Sequence, residues 1–173
     1  STPAEIIEGY DGGLNAFLDP SKRIQGVSTG FQKLDEKTGG IRPGELIILA
    51  ARPAMGKTAL ALNLAYHVAS VVKKPTAIFS LEMSKSELSV RLMCSEAHVS
   101  MAKARSGKMR RDELEALHEA GERLANLPLH IDDTSGLTIL ELRARARRLK
   151  SRLPNLGLLI IDYLQLMNGG GKR

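Results

Sequence analysis

Ala51, Arg52, Pro53, Ala54, Met55, Gly56, Lys57 and Thr58 set a lysine and a hydroxyl behind a glycine, an order suited to triphosphate chemistry. The run lies between the apolar stretch Leu46-Ile-Ile-Leu-Ala50 and an amphipathic stretch from Ala59 onward, which predicts a buried strand, a loop and a helix. Such a loop turns backbone N–H groups toward a helix N-terminus, where the helix dipole and a lysine add to their attraction for phosphate. Gly56 lets the backbone approach the phosphates, Lys57 reaches the outer ones, and the Thr58 hydroxyl suits Mg²⁺. The run departs from G-x-x-x-x-G-K-S/T at its first position, Ala51. A Gly-Lys-Thr after a strand can also be an ordinary helix start with an exposed lysine, but a strand before and a helix after favour the phosphate loop.

In an open parallel sheet the strands deliver their C-terminal ends to one edge, and ligands bind there. Glu82 follows the predicted strand 76–81, and Asp162 follows the apolar strand 157–161. An aspartate ending a buried strand suits Mg²⁺, directly or through water. Glu82 suits a general base for the attacking water, or else simply favours the N-terminus of the helix that follows. Asp132 and Asp133 also end a predicted strand, Leu127-Pro-Leu-His-Ile131, but the turn Asp133-Thr-Ser-Gly136 accounts for them as structural. Cys94 reads as a small buried side chain, and His67, His98, His118 and His130 show no zinc-ligand spacing.

The elements that must position these groups alternate along the chain. Helices are predicted over 57–72, 85–98, 101–106, 111–126 and 138–153, and strands over 46–50, 76–81, 127–131 and 156–161. Ser84-x-x-Glu87 and Thr138-x-x-Glu141 mark two helix starts, and Gly107 marks a stop. Strands that are apolar throughout, separated by helices, predict an α/β fold whose mostly parallel sheet is covered on both faces. Upstream, Ser28 to Gly40 predicts a short helix closed by glycine, and Arg42-Pro-Gly-Glu45 a turn into the first strand. Residues 1–23 read as a linker with a short helix at Pro3–Tyr10, and 24–173 as one α/β domain.

The 173 residues, 43% of them hydrophobic, contain no uninterrupted apolar run long enough to span a bilayer. The acidic start from Ser1 to Tyr10 is unlike a signal peptide, so a soluble, cytoplasmic protein is expected. A net charge of +6 permits a polyanionic partner such as nucleic acid. Much of that charge sits in Arg143, Arg145, Arg147, Arg148, Lys150 and Arg152, interleaved at helical spacing with Ile139, Leu142, Ala146, Leu149 and Leu153. That pattern is the solvated face of a packed amphipathic helix. Phe17, Phe31, Phe79, Tyr10, Tyr66 and Tyr163 are scattered singly and supply no base-stacking platform, so only non-specific binding to nucleic acid is expected of this chain alone.

Three strings, residues 51–58, Phe79-Ser-Leu-Glu-Met-Ser84 and Ile161-Asp-Tyr-Leu-Gln-Leu-Met167, resemble the motifs of the DnaB-type replicative DNA helicases of bacteria. That family also carries a small residue where this chain has Ala51. The pattern Ser28-Thr-Gly30, Leu34-Asp35 and Gly39-Gly40 is shared more widely, with the RadA and KaiC groups. The resemblance implies a RecA-like P-loop NTPase core, incomplete at its C-terminus, with ATP and Mg²⁺ as cofactors. It implies Lys57 on the β- and γ-phosphates, Thr58 and Asp162 around Mg²⁺, and Glu82 polarising water. A homohexameric ring that hydrolyses ATP at subunit interfaces while single-stranded DNA passes through its centre is implied too. Primase and a helicase loader are the implied partners, and no membrane is. Residues 1–20 would be a connector docking on a neighbouring subunit. The family's further strands, sensing glutamine, DNA-contacting loops and arginine finger are expected beyond Arg173, so isolated turnover should be negligible. Other readings are a RecA-, RadA- or KaiC-like ATPase that is not a helicase, and a non-catalytic nucleotide-binding or interaction fragment.

Overall fold

The computed structural model describes Thr2, residues 26–52 and residues 55–162. The expected helix at Pro3–Tyr10, the loop residues Pro53 and Ala54, and the string from Tyr163 onward lie outside the described residues. The chain divides into two compact units, Ser1–Ile48 and Leu49–Arg173.

In the first unit a short helix, α1 (Gln32–Thr38), ends at Gly39 in the left-handed region at φ 74°, as the glycine-closed helix predicted. Val27 and Ile41 form an antiparallel bridge, with N–H to O distances of 2.7 and 2.8 Å. The chains approach so closely that a Cβ on Gly26 would lie 2.6 Å from the Ile41 carbonyl. Asp35 organises the turn before α1. Its carboxylate accepts from the Ser28 hydroxyl at 2.8 Å, the Thr29 hydroxyl at 2.6 Å and the Thr29 amide at 3.0 Å. Burial pushes the Asp35 carboxyl up, but the hydrogen bonds from Thr29 and Ser28 outweigh it and hold the group below its usual range. The stabilisation is therefore complete above the ordinary aspartate value of about 3.9 and is lost as pH falls through the lower folded value. The Thr29 amide resonance, followed by NMR in an acid titration, should move with a midpoint below that ordinary value. A midpoint at or above it would refute the depressed carboxyl.

Among the described residues, the second unit is built on three parallel strands in the order β2-β1-β3: β1 (Thr76–Ser80), β2 (Leu129–Asp132) and β3 (Leu158–Asp162). Thr76 aligns with Leu129 on one side and Leu158 on the other, and Ser80 aligns with Asp162. The described helices that connect or precede them are α2 (Lys57–Ser70), α3 (Lys85–Glu96), α4 (Met101–Ser106), α5 (Arg111–Ala125) and α6 (Ile139–Arg152).

Alternating strand side chains feed two cores, as period-two geometry requires. Ile78 and Ile160 join Leu62, Ala65, Leu88 and Leu92 of α2 and α3. Phe79, Leu159 and Ile161 join Leu81, Leu137, and Leu142 and Ala146 of α6. Helices thus cover both faces, as the apolar strands predicted. The α6 start carries the full capping box, with Thr138 and Glu141 exchanging side-chain and backbone bonds. At α3 only half of the predicted box forms: Ser84 accepts from the Glu87 amide, while the Glu87 carboxylate pairs with Arg91 and Arg105 instead.

Two expectations are corrected. Residues 46–50 form no strand, and the side chains expected in the core are exposed, Leu46 by 83% and Ile48 by 78%. An apolar run becomes a strand only when a neighbour satisfies its N–H and C=O groups. Among the described residues no strand pairs with this run. The apolar stripe of α6 also begins later than predicted, at Leu142, because Ile139 is the first residue of the helix and stays 62% exposed. Helical side chains lean toward the N-terminus, so one at the first position projects past the helix end.

Candidate functional site

Gly56 enters α2 at φ 84°, where residues bearing a Cβ are strained, and no side chain caps the helix. An uncapped helix start turns its first N–H groups outward, the arrangement that receives phosphate oxygens. Leu60 N–H bonds to Gly56 C=O at 2.9 Å, so the helical ladder begins directly at the glycine. Of the remaining loop residues, Ala51, Arg52 and Met55 are exposed, and the Met55 amide reaches back to the Arg52 carbonyl at 3.3 Å.

Thr58 and Asp162 are far apart in sequence and adjacent in space. The Thr58 hydroxyl donates to Asp162 Oδ2 at 2.8 Å, and Lys57 Nζ lies 3.9 Å from Asp162 Oδ1. Asp162 is the one buried residue of β3, whose other side chains are half-buried. A hydroxyl and a carboxylate oxygen side by side form a hard, all-oxygen donor pair that suits Mg²⁺. The adjacent ammonium and the uncapped helix suit the phosphates that such an ion accompanies. The residues present therefore fit Mg²⁺ and a nucleoside triphosphate.

Glu82 sits at the same sheet edge, two residues beyond Ser80, which is aligned with Asp162. The Leu81 amide donates to the Asp162 carbonyl at 2.8 Å, tying the start of the Glu82 turn to the aspartate strand. The buried Ser80 hydroxyl donates to the Met83 carbonyl at 2.7 Å and accepts from the Met83 amide at 3.2 Å. Glu82 itself is exposed, without an ion pair or side-chain hydrogen bond among the described residues. It precedes the N-cap Ser84 by two positions and so lies outside the first turn of α3, which weakens the helix-start explanation for it.

The groups read as structural remain so in part. Cys94 is buried, which pushes its thiol up. Asp132 accepts from the Thr134 amide at 3.0 Å and from Arg145 at 2.8 Å; burial pushes its carboxyl up, and these bonds more than reverse that. Arg143, Arg147, Arg148, Lys150 and Arg152 are exposed, as a solvated helix face predicts. Asp133 departs from expectation. Its carboxylate leaves its own turn and accepts from the Lys85 amide at 2.9 Å. No local sequence signal marks that contact, because its partner lies on another element.

No helix among the described residues is long and apolar enough to cross a membrane. The family of DnaB-like helicase C terminal domains matches residues 26–173. The replicative DNA helicase DnaB of Nostoc sp. is 45% identical over 164 residues, covering 91% of this chain and 19% of that protein. The protein of the same name from Geobacillus stearothermophilus is 40% identical over 167 residues, covering 96% of this chain and 36% of that protein. A solved DnaB-like replicative helicase, described with its interactions with primase, superposes with a TM-score of 0.80 at 30% identity over 86% of this chain and 36% of its own. The chain thus spans well under half the length of these relatives, and on the match over residues 26–173 it belongs to the DnaB-like helicase C-terminal domain family.

Proposed function

We propose that this chain is the nucleotide-binding part of an ATP-driven replicative DNA helicase motor. The observation that carries the reading is the meeting of Thr58 and Asp162 at 2.8 Å beside Lys57, at the start of a helix entered through a left-handed glycine. Thr58 and Asp162 would hold Mg²⁺, and Lys57 with the first amides of α2 would hold the phosphates of ATP. Mg²⁺ would supply charge neutralisation on the phosphate oxygens. Glu82 takes the role of general base, accepting the proton of the attacking water. Family membership supports a cytoplasmic ring of six subunits acting on single-stranded DNA, with primase and a loader as partners. It favours a helicase over a recombinase or signalling ATPase of the wider RecA-like group. This chain would bind nucleotide at that site.

Calorimetry with Mg²⁺–ADP tests the site. Lys57→Ala removes a charge-assisted contact of roughly 1.5–3 kcal/mol, so affinity should fall by about 10- to 100-fold. Equal affinity in the two proteins would reject the assignment of the loop.

A further inference from the structure

We infer that Asp133 is a positioning residue for Glu82, acting through the start of α3; the inference rests on the proposed role of Glu82 as general base. The turn that carries Glu82 hangs between the end of β1 and the first residue of α3. Its near end is fastened to β3 by the bond from the Leu81 amide to the Asp162 carbonyl, and its middle by the Ser80 hydroxyl on Met83. Its far end is fastened by Asp133, which accepts the amide of Lys85 from 48 residues away.

That last bond does something a local cap does not. Ser84 already accepts the Glu87 amide and suffices to start the helix. Asp133 takes a different amide, that of the first helical residue, and joins it to the end of β2. Asp133 is itself held, since its neighbour Asp132 is bound by Arg145 and by Thr134, and Arg145 also donates to the Thr134 hydroxyl at 2.9 Å. The end of α3 is thus located relative to the sheet rather than merely capped. Glu82 makes no side-chain bond of its own among the described residues, so the placement of its carboxylate depends on the backbone at each end of this turn. General-base efficiency is sensitive to such placement, and a misplacement of about 1 Å can cost on the order of a hundredfold.

The test is steady-state ATP hydrolysis by full-length ring helicase carrying Asp133→Ala, Asp133→Asn, Glu82→Gln and the double variant Asp133→Ala/Glu82→Gln. Asp133→Ala should lower kcat by on the order of tenfold to a hundredfold with KM for ATP unchanged. Asp133→Asn keeps an acceptor oxygen and a good capping side chain, so it should restore most of the rate. In the Glu82→Gln background, Asp133→Ala should lower the rate no further. A wild-type kcat in Asp133→Ala, a change in KM alone, no rescue by Asp133→Asn, or a full further loss in the double variant would each overturn the positioning role while leaving the Glu82 assignment in place. A wild-type rate in Glu82→Gln would instead remove the base and, with it, this role for Asp133.

Discussion

In the full-length protein carrying this sequence, Glu82→Gln is expected to bind ATP as the parent does and to hydrolyse it roughly 10²–10⁴-fold more slowly. The substitution keeps size and hydrogen-bonding capacity but cannot accept a proton from water. Glu82 is exposed beside the strand end where Thr58 and Asp162 meet, and its turn is tied to Asp162 through the Leu81 amide. Binding by calorimetry and hydrolysis by phosphate release separate the two effects. Loss of affinity would make Glu82 a ligand of the nucleotide or its metal rather than a base, and an unchanged rate would make it structural.

The second large effect is on stability. Leu88 is 1% exposed and lies in the core cluster with Leu62, Ala65, Ile78 and Leu92, where α2 and α3 meet the sheet. Leu88→Ala removes buried methyl groups and leaves a cavity that close-packed neighbours only partly fill, a loss of about 2–5 kcal/mol. Against a typical total of roughly 5–15 kcal/mol, that is a large share. Val90, two residues along the same helix, is exposed, and Val90→Ala should stay within about 0.5 kcal/mol of the parent. Urea unfolding of both variants makes the comparison. Similar midpoints would mean that the α3 face is not packed against the sheet as described.

Much of this architecture was legible in local patterns. Thr138 and Glu141 sit three apart before an apolar stripe, and the reciprocal cap they form needs no information from elsewhere in the chain. Gly39 and Gly107 end helices where their left-handed conformations are free of Cβ strain. The parallel sheet followed from strands that are apolar on both faces, and Ile78 and Phe79 do enter opposite cores. The candidate site was legible as separate pieces: Gly56, Lys57 and Thr58 by their order, and Glu82 and Asp162 by their places at strand ends.

Short-range chemistry determined the helix caps, the turns and the identity of the phosphate loop, because each depends on residues within a few positions of one another. The rest depended on partners distant in the chain. Leu46 to Ala50 has the composition of a core strand yet remains exposed and irregular, since composition cannot supply the neighbouring ladder that a strand requires. Asp133 looked like a turn residue until the fold brought the Lys85 amide within 2.9 Å of it. Thr58 and Asp162, 104 residues apart, become a single hydrogen-bonded pair because β3 aligns beside β1 in parallel register and carries its terminal carboxylate to the start of α2.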